Sequence, residues 1–272
     1  MASWNNVFAR WLISLSVVAT ALPWTAAGQD FRVDTELFQN QEKKPFLQSL
    51  TIFADGIVYD FRLTEPAEAS VFDPRHGRFT LLDETRKVKA AVTTQELLDF
   101  TLALEPHAAE KKGLIAFCAA PQFETTVNDV ERNGQMHVEL RMVGKPLTYV
   151  ALGERPERHD AVKAYRQFAD WYARLNATFP ENLPPGARLA LNQAMAEREL
   201  LPLEILRTTT VGAAIPRKWE VKSQHRVNWT LSGEDRKKID RAADMMATFR
   251  AVSYVEYQKP VGPASSAKHA MR

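Results

Sequence analysis

Hydrophobic and polar residues alternate from Lys218 to Leu231. The odd positions read Trp219, Val221, Ser223, His225, Val227, Trp229 and Leu231, and every even position is polar. A period of two is that of a strand with one buried face. At about 3.3 Å per residue this strand runs roughly 40 Å, well beyond the usual length, so it must follow a large twisted sheet or bend across a half-barrel. Its register is fixed, because a slip of one residue would bury the polar row.

The same period marks an antiparallel meander over 31–92. In Ile57–Leu63 the odd positions are apolar while Asp60 and Arg62 fall on the even side, which predicts odd positions in the core and even ones in solvent. Asp55-Gly56 joins this run to Leu50–Phe53 as a hairpin, and further runs are expected near 69–73, 78–82 and 86–92. A second strand group follows the Asn133-Gly134 turn, where Met136, Val138, Leu140 and Met142 alternate with polar residues. A further strand is expected at 147–152, and the chain returns to strand at 202–211.

Helical spacing appears in four stretches. Residues 94–118 carry Leu97, Leu98, Thr101 and Leu102 on one side, with Thr94 as the cap. Tyr165, Phe168, Ala169, Tyr172 and Leu175 mark a helix over 161–179, and a Pro184-Pro185-Gly186 break leads into another at 187–199. Ser232, followed by Glu234 and Asp235, caps a last helix with a stripe of Ile239, Ala243, Met246 and Phe249. These elements predict an α+β domain over 29–258: a large curved antiparallel sheet of about 9–11 strands, half-barrel-like, packed with about three or four helices. After Tyr257 the periodicity ends, so 259–272 is expected to be a disordered tail.

The N-terminus changes the address. Arg10 precedes an uncharged run from Trp11 to Trp24, and small residues follow Pro23. That is the layout of an export signal over 1–28, cleaved after Ala27 or Gly28; the run is too short to anchor in a bilayer. The expected location is periplasmic or extracellular, with no integral membrane segment after cleavage. Cleavage removes Arg10 and no acid, so the net charge falls from +2 to +1 and gives no steering toward nucleic acid. One Cys in the whole chain excludes a disulfide scaffold, and Cys118, within Leu114–Ala120, reads as a buried, inert thiol.

No dinucleotide, phosphate-loop, nucleophile-elbow or zinc-protease motif occurs, and no two His or Cys share a metal-ligand spacing. No catalytic residue, metal site or cofactor is therefore assigned. His225 sits with Ser223 on the apolar side of the long strand, and residues two apart on a strand lie about 7 Å apart, too far for a hydrogen bond without side-chain reach. The pair reads either as satisfied core groups or as polar anchors in a ligand cavity formed by Trp219, Val221, Ser223, His225, Val227 and Trp229. Arg158-His159-Asp160 reads as a helix start and Arg236-Lys237-Lys238 as a solvated face. Asn176-Ala177-Thr178 and Asn228-Trp229-Thr230 match glycosylation sequons.

The strand–Asp55-Gly56–strand unit, the short strands after it, the helices and the long late strand resemble the LolA/LolB-like superfamily of outer-membrane lipoprotein carriers. The resemblance spans 31–92 and 200–255 as a strand pattern, with Asp55-Gly56-Ile57-Val58-Tyr59 as its motif. It implies an open half-barrel with helices over its concave face, an acyl-chain cavity between them, and a lipid or lipoprotein acyl chain as partner. The sequence thus supports an exported protein binding a hydrophobic or acyl-bearing ligand between sheet and helices. A non-enzymatic structural or interaction protein of the cell envelope is the alternative. A hydrolase using His225 is a third, and requires a nucleophile or carboxylate within hydrogen-bond reach of that ring.

Overall fold

The computed structural model describes residues 30–212 and 217–259. The stretch expected to be an export signal, 1–28, and, apart from Lys259, the expected 259–272 tail lie outside the described residues. Six strands open the chain: β1 (Phe31–Gln39), β2 (Leu47–Ala54), β3 (Ile57–Arg62), β4 (Glu68–Asp73), β5 (Arg78–Asp83) and β6 (Val88–Thr93). Then come α1 (Thr94–Ala109), α2 (Leu114–Ala119), β7 (Glu124–Arg132), β8 (Gln135–Val143) and β9 (Leu147–Glu154). The chain continues through α3 (His159–Ala177), α4 (Gly186–Ala196), β10 (Leu201–Val211), β11 (Arg217–Asn228), α5 (Gly233–Thr248), β12 (Arg250–Ala251) and α6 (Tyr254–Tyr257).

All twelve strands form one sheet, in the order β12-β6-β5-β4-β3-β2-β1-β11-β10-β9-β8-β7. Among the described residues only the β12–β6 pair is parallel. β11 lies between β1 and β10, so it joins the N-terminal meander to the second strand group and puts its own side chains at the middle of the sheet. The sheet does not close on itself, and β12 and β7 are its edges. The Asp55-Gly56 and Asn133-Gly134 pairs all take positive φ, the conformation that a two-residue hairpin turn needs.

Both faces of the meander are covered. On the inner face, Phe31, Phe53, Phe72 and Phe79 form an aromatic floor, with Phe31 stacked on Phe53 at 4.1 Å. Phe168 of α3 presses edge-on against Phe53 at 6.0 Å and also meets Phe72 and Phe79, which pins α3 over the sheet. α4 packs on a second cluster built from Leu140, Leu147, Ala151, Leu191 and Ile205. On the outer face, Ala242 and Met245 of α5 cover Leu50, Ile52, Phe61, Val71 and Leu82. α5 is held by a capping box between Ser232 and Asp235, and Asp235 also accepts a 2.7 Å hydrogen bond from Arg32.

The sheet-dominated α+β architecture stands, with twelve strands among the described residues rather than 9–11 and six helices rather than three or four. The excess comes from elements too short or too polar to carry a period. β12 has two residues and α6 four, and β7 is an edge strand almost wholly exposed on both faces. The helix expected over 94–118 is two helices, because Gly113 at φ +69 breaks it, and its cap is Thr93 rather than Thr94. The long strand stops at Asn228, short of Leu231. On α5, Ile239, Met246 and Phe249 of the expected stripe pack on the outer face, but Ala242 and Met245 are its buried centre and Ala243 is exposed. The most consequential correction concerns β3. Its odd side chains face α5, yet Asp60 and Arg62 are not in solvent; they are 6% and 7% exposed and point to the inner face. A strand covered on both sides buries both of its rows.

Candidate functional site

Strand pairing places polar side chains side by side across the inner face. His225 lies opposite Thr35, Thr35 opposite Ser49, Thr51 opposite Asp60, and Asp60 opposite Ser70. Apolar rows flank this band, Phe31–Phe53–Val58–Phe72–Phe79 on one side and Leu37–Leu47 on the other. Small polar residues in the middle of a sheet leave room above them. α3 leaves room as well, since Ala169 and Ala173, one turn apart on the same face, are directed at the band between the larger Phe168 and Tyr172.

The result is a partly open cavity of about 190 Å³ between sheet and helices. Its floor is Thr35, Ser49, Thr51, Asp60, Ser223 and His225, and its roof is Tyr165, Ala169, Ala173 and Asn176 of α3. Leu37, Leu47, Leu147, Tyr149, Ile205 and Val221 form the apolar side; Asn182 to Pro185, Arg188 and Cys118 close the end toward α4. An adjoining space of about 60 Å³ shares Asp60, Tyr172, Asn176 and Asn182 with the cavity and continues to Arg62 and Ser70. There, Arg62 Nε and Ser70 Oγ are buried without a hydrogen-bond partner. Arg62 spends a different nitrogen on Glu68, at 3.3 Å.

Of the six residues singled out in the sequence, the structure brings Val221, Ser223 and His225 to the cavity. Trp219 packs instead with Phe46, Leu37 and Leu47 at one end of the strand. Val227 and Trp229 join the aromatic floor at the other, where Trp229 meets Phe31 at 5.6 Å and takes the Arg158 guanidinium over its ring. Asn176 of the first sequon faces the cavity, and Asn228 of the second donates to Asp34 at 2.9 Å. Arg236 and Lys237 face acids at the surface, as a solvated helix face would. Cys118 is buried, and burial pushes its thiol up to about 11 against a weaker opposing effect of Arg207.

The His225 ring closes the gap that strand spacing left open: its Nε2 lies 2.9 Å from Ser223 Oγ, and its Nδ1 lies 3.1 Å from Thr35 Oγ1. Ser223 in turn donates to the Ile205 carbonyl at 3.4 Å. One tautomer satisfies all of these groups: Nε2–H donates to Ser223, and Thr35 donates to Nδ1. Burial, and then the Arg188 cation, push the His225 pKa down to about 3. Against an ordinary value near 6.5, that shift costs the ring on the order of 5 kcal/mol as a proton acceptor. A base acting on Ser223 would need the opposite tautomer, a higher pKa and a carboxylate on Nδ1, whereas here Nδ1 meets a hydroxyl. The geometry is that of a neutral polar anchor.

The remaining cavity residues escaped sequence reasoning. Alternation alone puts Asp60 on the solvent side of β3. Ser49 and Thr51 are legible afterwards as a polar pair alternating in step with Leu47 and Phe53. Arg188 and Arg207 had no local signal, because only the β9–β10–β11 pairing and the seating of α4 bring them together. Among the described residues no three His, Cys, Asp or Glu side chains converge as a metal ion requires, and no helix is long and apolar enough to cross a membrane.

No family model and no curated protein sequence matches the chain. Among solved structures it is similar to PNGF-II in two crystal forms. The P21 form gives a TM-score of 0.38 at 9% identity, and the C2 form 0.34 at 8%. Each alignment covers 85% of this chain and 32% of the other, so the chain spans about a third of the length of those proteins. At those scores the likeness carries neither fold nor function across.

Proposed function

We propose that this chain is an exported, non-catalytic binding protein that holds a small amphiphilic ligand between its sheet and its α3–α4 roof. The observation that carries the reading is the 190 Å³ cavity with one apolar wall and a band of small polar groups as its floor. A cavity of about 150 Å³ lined only by apolar groups takes up benzene, so this space suits a short hydrocarbon or acyl segment. It lies below the range of about 300–1,000 Å³ typical of drug-sized ligands, so a long lipid would enter only in part. The unpartnered Arg62 Nε and Ser70 Oγ beside the adjoining space favour a ligand that also carries polar atoms. In this reading the sheet works as an open half-barrel, in keeping with the lipoprotein-carrier resemblance of its strand pattern, and its place is the periplasm or the extracellular space.

The hydrolase alternative gains the 2.9 Å Ser223–His225 contact, yet the depressed His225 and its hydroxyl partner on Nδ1 leave no competent base. Binding is tested by native mass spectrometry of protein purified without detergent, compared with Ala173→Phe, which projects a ring from α3 into the cavity. The reading expects a bound species of defined mass on the wild type that is absent from the folded variant. Equal retention by both proteins, or no bound species on either, contradicts it.

A further inference from the structure

The cavity carries more positive charge than its own acids answer. Arg207, from β10, and Arg188, from the first turn of α4, both line it. Among the described residues neither forms an ion pair with a carboxylate; Arg188 Nε donates only to Asn192 Oδ1, at 2.9 Å. Asn192 passes that contact on to Asp170, which is itself engaged by Arg166 at 3.4 Å. The link orients the Arg188 side chain without neutralising it.

Both side chains border the same space. Arg207 sits directly across the strand pair from Tyr149. Tyr149 is 4% exposed, and both arginines act on its hydroxyl electrostatically, each opposing the rise that burial causes. Arg188 also acts on His225 and Tyr165, the floor and roof of the same space. Asp60 is the acid on the cavity wall, and it accepts a 2.8 Å hydrogen bond from Thr51 on the far side of the floor. The first turn of α4 is a lesser attraction for an anion. A Cβ on Gly186 would lie only 2.6 Å from the Cys118 carbonyl oxygen, so the α2 carbonyl end already packs against it.

Resting on the binding function proposed above, we infer that the ligand is a small organic acid with an apolar tail, its carboxylate held by Arg188 and Arg207 beside Tyr149 and its tail against Leu37, Leu147 and Val221. Guanidinium matches carboxylate in shape and donates two parallel hydrogen bonds, so the arrangement recognises charge and orientation together. An uncharged analogue leaves two half-buried cations unanswered and gives up that selectivity.

The test is calorimetric titration of the full chain with hexanoate, 1-hexanol and acetate. These separate tail with charge, tail alone and charge alone. Hexanoate is expected to bind about ten- to a hundredfold more tightly than 1-hexanol, the worth of one charged hydrogen-bonded contact. Acetate is expected to be weaker than both. Arg207→Gln and Arg188→Gln should each bring the ratio of hexanoate to 1-hexanol affinity to within about twofold of one. Arg207→Lys, which keeps the charge if Gln disturbs the fold, should retain part of the preference. Equal binding of hexanoate and 1-hexanol overturns the carboxylate inference and leaves the cavity reading intact. Tight acetate binding unaffected by either Arg variant also overturns the inference, since the anion then sits elsewhere. Failure of both hexanoate and 1-hexanol to bind overturns the inference and the cavity reading together.

Discussion

His225 links the interior of the site to the stability of the whole fold, and the link has a sign and a size. In the unfolded chain the imidazole titrates near its ordinary 6.5; in the folded protein, burial and Arg188 push it down to about 3. Above pH 6.5 both states hold a neutral ring and the group adds no pH dependence. As pH falls below 6.5 the unfolded chain takes up a proton that the folded protein refuses, so stability declines until the folded value is reached. Each pH unit in that window is worth up to about 1.4 kcal/mol, which comes to about 2 kcal/mol by pH 5. His225→Gln keeps a donor and an acceptor for Ser223 and Thr35 but cannot titrate. Urea unfolding of both proteins at pH 7 and pH 5 reads the effect. The variant is less stable at pH 7, by about 1–3 kcal/mol for imperfect hydrogen bonds, and that deficit should shrink by about 2 kcal/mol at pH 5. Carboxylates such as Asp73, Glu96 and Asp235 are held low by their hydrogen bonds and lose stability in acid equally in both proteins, so they cancel. Parallel pH profiles for the two proteins would refute a neutral His225 with a lowered pKa.

Two further perturbations test the frame around the cavity. Gly186→Ala sets a Cβ 2.6 Å from the Cys118 carbonyl and 2.7 Å from that of Ala119, so the backbone of α2 or α4 must shift. Although Ala favours helix, thermal unfolding should show a net loss of about 1–3 kcal/mol; a gain would mean that the two helix ends are not in contact. Burial alone raises the Asp235 carboxyl, but hydrogen bonds from the Ser232 N–H and hydroxyl and from Arg32 outweigh it and hold the group below the usual carboxylate range. Asp235→Asn should therefore cost about 1–3 kcal/mol in urea unfolding at pH 7, with the difference from wild type closing as pH falls through the folded Asp235 value; a change under about 0.5 kcal/mol would reject the Ser232–Asp235–Arg32 link.

Period-two alternation exposed the meander and the long central strand, because those strands carry one continuous apolar row. The same logic misassigned Asp60 and Arg62. It takes a charged row to face water, and on β3 that row faces the cavity while α5 covers the other side. Alternation also marked Val221, Ser223 and His225 as inward, but it could not separate the middle of a strand from its ends. Trp219 and Trp229 pack against large neighbours, Phe46 and Phe31, whereas Ser223 and His225 pair with Leu37 and the small Thr35 beneath the alanines of α3. A cavity is a shortage of side-chain volume shared by several elements, and no single segment records it. Arg188 and Arg207 illustrate the point, since each is an ordinary polar residue in its own element and acquires meaning only across the β9–β10–β11–α4 junction.

That junction is also where the account is most exposed to measurement. The most direct test is an NMR titration with isotope-labelled hexanoate, following cross-relaxation from its methyl and methylene protons to assigned side chains. The account predicts contacts to Leu37, Leu147 and Val221, with shifts of the Tyr149 and His225 ring signals, all abolished in folded Ala173→Phe. Contacts confined to surface residues such as Phe100 or Leu102, or contacts unchanged in Ala173→Phe, would contradict it.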